Sequence, residues 1–411
     1  MTSGNTTQVT KSVSNWWRWS AIGALLIGAT AGCKTPDATS DATNSGAASN
    51  VATTSAAKGE PIVLGQFAAL TGPTATFGIS TDNGIKMAVD EINARGGVLG
   101  RPLQVVTEDT ASDASQAALA AKKLIAQNKP VVLIGEVASK RSLAAAPICQ
   151  AAKVPMISPA STNPAVTKVG DYIFRTCFID PFQGKVGARF ALDKLKAKSA
   201  AILKDNKEDY SVGLAEFFQK EFVAGGGKIV AQEAYSGGDL NFRAQLTRIK
   251  AANPDLIFVP GYYSEVPNIA IQARSIGLSK PLMGGDGWDS SKLFEISKGA
   301  LDGSYLSNHY SSDSTDPKVV KFVGDYKKLY KDETPDVMAV LGYDALYIVA
   351  DAIKRAGSTD RVKVRDALAA TKNFQAVTGN VTIDKDRNAI KPAVILQVKN
   401  NKYNYVSTVK P

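Results

Sequence analysis

Ile62-Val63-Leu64-Gly65-Gln66-Phe67, followed by Thr81-Asp82-Asn83-Gly84-Ile85-Lys86-Met87-Ala88-Val89-Asp90-Glu91-Ile92-Asn93-Ala94, sets the architecture. The first stretch is a short apolar run with β-branched residues, the pattern of a strand buried on both faces. In the second, Ile85, Ala88, Val89 and Ile92 recur at i, i+3, i+4 and i+7 and share one face of a helix. That pattern stops at Gly96-Gly97, where a left-handed cap forms easily. Outward from this pair the alternation repeats. Strands are expected over 103–108, 131–135 and 155–158, and helices over 114–127 and 139–153. A β-α-β-α order predicts a parallel sheet covered by helices on both faces.

A second series begins after Pro181. Its strands are expected over 199–204, 228–235, 255–259 and 281–284, with helices over 210–224, 241–252 and 264–276. Helices over 317–330, 336–355 and 361–370 come next, and a β-rich segment from Gly379 ends the chain. The fold class is therefore α/β: two Rossmann-like lobes with parallel central sheets, exchanging elements near the C-terminus. Ligands in such folds sit beyond the carboxyl ends of the strands, here between the lobes.

A length of 411 residues suits two such units and a tail. The tail is N-terminal. Lys11 and Arg18 precede an apolar run from Ser20 to Ala31 that is too short for a bilayer, which needs about 20 residues. The run ends Thr30-Ala31-Gly32-Cys33, similar to a bacterial lipobox but with Thr30 where that motif usually has Leu. Residues 1–33 read as a lipoprotein signal ending at an acylated Cys33. Residues 34–60, nearly all Thr, Ser, Ala, Asn and Asp, read as a flexible polar tether. The expected address is outside the cytoplasm, lipid-anchored to a membrane.

Charge and chemistry narrow the function. The net charge of +10 is scattered, with no basic stripe interleaved with aromatics, so no nucleic-acid partner is expected. One histidine, His309, and three cysteines leave little material for a metal site or a His-based triad, and no cofactor is expected. Gly225-Gly226-Gly227-Lys228 lacks the earlier glycine of a phosphate loop and precedes a strand, so it reads as a helix cap and turn. Asp384-Lys385-Asp386-Arg387-Asn388 opens like a calcium loop but has Ala389 and Leu396 where Gly and Glu are required, and reads as a β-turn. With no nucleophile elbow either, an enzyme is not expected. Cys149 and Cys177 are either a disulfide, as an oxidising compartment permits, or two buried thiols.

Two loops carry the binding signal. Glu136-Val137-Ala138-Ser139 leads from a strand into a helix, with Ser139 at or near the N-cap. Free backbone N–H groups, the positive end of the helix dipole and a hydroxyl make that junction a carboxylate site. Ser158-Pro159-Ala160-Ser161-Thr162-Asn163-Pro164 follows the next strand and brings further hydroxyls, with prolines fixing its backbone.

Residues 62–72, Phe77-Gly78, 88–100, 158–164, Phe174-Arg175, 180–184, Asn241-Phe242, 284–287 and 378–384 together resemble the leucine/isoleucine/valine-binding protein family. Its members are extracytoplasmic substrate-binding components of ABC transporters with a type I periplasmic-binding-protein fold. The resemblance implies three hinge crossings, near 180, 308 and 377. Lobe 1 would hold 61–180 plus 309–377, and lobe 2 would hold 181–308 plus 378–411. It also implies roles. Ser139 would bind a ligand α-carboxylate. Ala138 would leave room for a side chain, and Ala160, Ser161 and Thr162 would form the loop holding carboxylate and ammonium. Tyr262 would close over the head group, and Asp286, where branched-chain binders have Glu, would pair with the ammonium. Phe77 and Tyr210 would frame the side chain, and Trp288, a departure from the family pattern, would reshape the pocket. Donors at a helix start, an acid on the opposite lobe and aromatics between them describe a zwitterion. The expected ligand is thus an α-amino acid, aliphatic or aromatic, with an ABC permease and a membrane, through the lipid anchor, as further partners. The alternatives are a receptor for a neutral amide, urea or small aromatic acid, and a sensory module.

Overall fold

The computed structural model describes residues 58–411; the signal, Cys33 and the tether as far as residue 57 lie outside the described residues. The first series is β1 (Ile62–Ala68), α1 (Ala75–Ala94), β2 (Leu103–Asp109), α2 (Ala114–Asn128), β3 (Leu133–Ile134), α3 (Ser139–Ala151), β4 (Met156–Ser158), α4 (Ala165–Lys168) and β5 (Ile173–Arg175). Its strands form a parallel five-stranded sheet in the order β2-β1-β3-β4-β5. The expected apolar face of α1 is the buried one: Ile85, Ala88 and Ile92 pack into the core beneath the sheet, and Val89 lies at its margin.

The second series is α5 (Asp180–Asp193), β6 (Ser199–Asp205), α6 (Asp209–Ala224), β7 (Lys228–Tyr235), α7 (Arg243–Ala252), β8 (Leu256–Phe258), α8 (Val266–Ser275), β9 (Leu282–Gly284), α9 (Ser291–Ser297) and β10 (Tyr305–Asn308), with a 3-10 turn at Asp286–Trp288. Then come α10 (Pro317–Leu329), α11 (Val337–Ala356), α12 (Arg361–Ala369), β11 (Phe374–Ala376), β12 (Gly379–Ile383), β13 (Ala389–Ile390), β14 (Ala393–Lys399) and β15 (Lys402–Val409). The second sheet runs β15-β14-β10-β9-β8-β6-β7; β6 to β10 are parallel, and β14 and β15 add antiparallel to its edge.

Helix α1 also meets α11, which crosses it with backbone nearly touching backbone. A Cβ on Gly84 would lie 1.9 Å from the Ala339 carbonyl oxygen, and one on Gly342 would lie 2.5 Å from that of Thr81. Only glycine allows this approach. Because α11 follows β10 of the second sheet yet packs from Ala345 onward with Ile62 and Leu64, the chain has returned to the first core by Ala345.

One expectation is corrected, and one choice that the sequence leaves open is decided. The crossing expected near 377 comes later. Val381, Ile383 and Ala389 are buried in the first lobe's core with Ile62 and Leu346, so residues 378–390 stay with that lobe. The chain joins the second sheet only at Ala393, just past Lys391-Pro392. The apolar alternation of β12, which needs a core, draws the strand back. Of the two readings of the cysteines, the buried thiols are the one found. Cys149 and Cys177 are free and buried, Cys149 among the α2–α3 apolar side chains and Cys177 with its Sγ 3.3 Å from the Ser161 carbonyl. Burial pushes both thiols up to about 12, so neither is a ready thiolate. Asp384 closes a turn between β12 and β13, accepting from the Asp386 and Asn388 amides, in keeping with the turn reading.

Candidate functional site

The two lobes face each other across a cleft lined by the loops after their strands, and they touch. Lys140 donates to the Lys207 carbonyl at 2.8 Å and Asn163 to the Asp209 carbonyl at 2.8 Å. The Tyr263 hydroxyl accepts from the Thr76 amide and donates to the Pro73 carbonyl.

On the first lobe, the short strand β3 delivers the chain into α3. Ser139 is the first helical residue, and Ala138, in extended conformation, holds the cap position without a side-chain cap bond. The Ser139 hydroxyl accepts from the Asn163 amide at 3.2 Å, which leaves its own proton free to donate. The first-turn N–H groups of α3 have no carbonyl within the helix to bond. The neighbouring loop is built as expected but divides its labour. Ser161 turns inward, donating to the Glu136 carbonyl at 2.9 Å and sharing a proton with Ser142 at 2.7 Å, so it joins the two loops rather than facing the cleft. Ala160 is buried beside it, and Thr162 is 1% exposed with a hydroxyl that makes no well-formed hydrogen bond.

On the second lobe, β9 ends at Gly284, and Asp286 opens the 3-10 turn, 2% exposed. Gln183 Nε2 donates to its Oδ1 at 2.8 Å, the Tyr210 hydroxyl donates to the same atom at 3.1 Å, and His309 Nε2 lies 3.2 Å from its Oδ2. Capping of α9 is left to Ser290, which accepts from the Lys292 amide. Burial pushes His309 down to about 4, so the imidazole is neutral at pH 7 and does not offset the Asp286 charge. His309 is fixed by stacking on Phe178, 3.7 Å between ring centroids. A buried carboxylate held by three neutral donors still calls for a cation.

Aromatic rings fill the space between. Tyr262 stacks on Tyr210 at 5.3 Å with ring planes 5° apart, and Phe77 of the first lobe meets Tyr262 edge-on at 5.7 Å. Trp288 does not frame this wall; it is wholly buried, with its indole N–H on the Val259 carbonyl and its ring against Gly284. Its place in the site is that of a core support.

Several residues that the sequence motifs do not mark belong to the same region. Asp180 is fully buried at the start of α5, with neither carboxylate oxygen in a well-formed hydrogen bond, and burial pushes it up to about 8. Gln183 and His309 hold Asp286. Glu136 and Arg141 form a buried ion pair at 2.8 Å between the β3 loop and α3. Asp180 and Gln183 lay within a stretch already quoted for the family, and that was the one available signal. Arg141 and His309 gave none, because only tertiary placement makes them neighbours of the cleft.

Residues 61–403 match the model of a family described as periplasmic binding protein. The chain belongs to that family. This binding protein is 33% identical over 318 residues to the leucine-, isoleucine-, valine-, threonine- and alanine-binding protein of Pseudomonas aeruginosa, covering 77% of this chain and 84% of that one. Among solved structures, it resembles the leucine binding protein LivK of Thermotoga maritima, with 40% identity and a TM-score of 0.82 over 85% of this chain and 99% of that one. It also resembles the branched-chain amino acid transporter substrate binding protein LivJ of Streptococcus pneumoniae, solved with isoleucine, with 35% identity and a TM-score of 0.81 over 86% and 100% of the two chains. The family resemblance drawn from residues 62–72, 88–100 and 158–164, and the fold class it implied, both hold.

Proposed function

We propose that this binding protein captures an α-amino acid between its lobes, outside the cytoplasm, and delivers it to the permease of an ABC importer, held at the membrane by a lipid on Cys33. The observation that carries the reading is the pairing of opposites across the cleft. Ser139 and the α3 N-terminus offer donors to a carboxylate, and Asp286 on the other lobe offers a buried negative charge to an ammonium. The Tyr210–Tyr262 stack and Phe77 give the side chain an apolar wall suited to an aliphatic, branched-chain or aromatic residue. The relatives named for leucine, isoleucine and valine support the same ligand class. Binding and release, without turnover, suffice for this role.

The experiment is calorimetry on the wild type and Asp286→Asn with an amino-acid panel and the matching acids that lack the amine. Removing the buried charge should weaken amino-acid binding by about 2–5 kcal/mol and barely affect an acid without an ammonium. An Asn variant that binds its amino acid as tightly as the wild type would transfer the site to the amide or aromatic-acid reading.

A further inference from the structure

At one end of the cleft three buried polar atoms lack a hydrogen-bond partner: Arg141 Nη2 on the first lobe, and Glu208 Oε2 and Tyr262 Oη on the second. Arg141 is 4% exposed, and its guanidinium is tethered to Glu136 at 2.8 Å and reaches the Ser112 carbonyl at 3.4 Å. Glu136 is fully engaged, taking Thr110 Oγ1 at 2.9 Å on one oxygen and the Ala138 amide at 2.8 Å on the other. Its charge holds Arg141 in place, and its bonding capacity is spent. The Asp286 end is linked to these atoms through the stacked tyrosines, since Tyr210 bonds Asp286 and stacks on Tyr262. The charges agree with that order. After burial, the Tyr262 phenol responds first to Glu208 and Arg141, and only then to Asp286.

From these orphaned atoms we infer that Arg141 is a specificity-determining residue, selecting an amino acid whose side chain ends in a carboxamide. The inference rests on the α-amino-acid reading above, keeps its carboxylate and ammonium, and departs from it in the side chain, which is amide-ended rather than aliphatic or aromatic. Arg141 is paired with Glu136, and Lys140 Nζ lies 3.6 Å from Glu208 Oε1, so the charges here already balance and neither a ligand carboxylate nor a second ammonium has a free counter-charge. A neutral group with separate donor and acceptor atoms meets both Arg141 and Glu208. The amide oxygen accepts from Arg141 Nη2, and the amide nitrogen donates to Glu208 Oε2. Tyr262 Oη serves whichever atom is nearer. An apolar isostere leaves all three atoms dry and unpaired, and a site built around hydrogen bonds discriminates strongly against a ligand that lacks them.

L-Asparagine and L-leucine are near-isosteres that differ in these two atoms, and L-glutamine extends the amide by one methylene. Calorimetry should give the wild type at least a tenfold preference for the better amide over leucine. Because Arg141→Met alone would strand Glu136, the pair is removed together as Glu136→Gln/Arg141→Met. A second variant, Glu208→Met, changes a side chain that is 21% exposed and frees Lys140, itself 40% exposed, to solvent. Either variant should bring the amide-to-leucine ratio to within about threefold of one, roughly 0.65 kcal/mol at 1.4 kcal/mol per tenfold. Asp286→Asn should weaken both ligands together and keep the ratio. If the double variant does not fold, Glu208→Met decides. Leucine binding as tightly as the amides, with a ratio that Glu208→Met leaves unchanged, overturns the carboxamide inference while the amino-acid reading stands. No binding of any amino acid overturns both.

Discussion

Replacing Ser139 by Ala removes one hydroxyl and leaves the α3 N-terminus in place. If the hydroxyl donates to a ligand carboxylate, affinity should fall by about 1.5–3 kcal/mol, the worth of a hydrogen bond to a charged group. The same change strands the Asn163 amide, so a small loss of stability should accompany it. Calorimetry showing an unchanged Kd would leave Ser139 with the Asn163 contact alone. Asp180 tests the cleft in another way. Its folded value of about 8 stands above the ordinary carboxylate range because burial penalises the charge. The native state therefore keeps a proton that the unfolded chain gives up, and this contribution to stability, full below about pH 4, is lost as pH rises through about 8. His309, pushed the other way, adds a slope of opposite sign between about 4 and 6.5. Comparing Asp180→Asn with the wild type isolates the carboxylate: the variant's advantage in melting temperature should grow from pH 5 to pH 8, by at most about 1.4 kcal/mol per pH unit. A constant offset across that range would mean Asp180 is not the group that titrates.

At the scale of elements, the α1–α11 crossing makes the sharpest demand. Gly84→Ala gains about 1 kcal/mol of helix propensity. It also places a methyl 1.9 Å from the Ala339 carbonyl, which is backbone and cannot swing aside. Overpacking of this kind costs about 1–3 kcal/mol or more, so the net effect should be destabilising, read as a lower urea midpoint at unchanged m-value. A variant as stable as the wild type would show that the helices can separate freely. The sequence makes this level readable where periodicity is long. The apolar face of α1 and the borders of α2, α6 and α11 fall within a residue or two of expectation, because burial of one face dictates both. It is silent on two of the short elements, although it marks β4, β8 and β9, which are no longer than these. β5 and β10, three and four residues long, carry no period, and β5 ends on the buried Arg175. The start of α1 at Ala75 is hidden behind Gly72-Pro73 and Thr74, which makes no side-chain cap. In the site, Ser139 is legible because it stands at a strand end with a helix start beside it, whereas Asp286 comes with the family resemblance. Gln183 meets Asp286 from 103 positions away, a distance that no local pattern spans.

At the scale of the whole molecule, closure is a balance between weak cross-lobe bonds and expensive buried polar groups. The lobes share the Lys140, Asn163 and Tyr263 contacts, each worth about 0.5–1.5 kcal/mol net. Against them, closing on nothing would leave Arg141 Nη2, Glu208 Oε2 and Tyr262 Oη without partners, and the Asp286 charge without a cation, in a dry cleft, at about 1–3 kcal/mol for each unpaired group and more where it is charged. The second sum exceeds the first. The ligand-free protein should therefore spend most of its time with the lobes apart, and a ligand that pairs those groups should shift the population to the closed arrangement. Small-angle scattering is the direct measurement. The radius of gyration should fall when a ligand confirmed by calorimetry is added, and the liganded profile should match the arrangement in which Lys140, Asn163 and Tyr263 bridge the lobes. In parallel, ligand at 100 times its Kd should add about 2.7 kcal/mol to the native state. Identical profiles with and without a bound ligand would mean that the cleft is preformed, and that the weak cross-lobe contacts outweigh the buried charge.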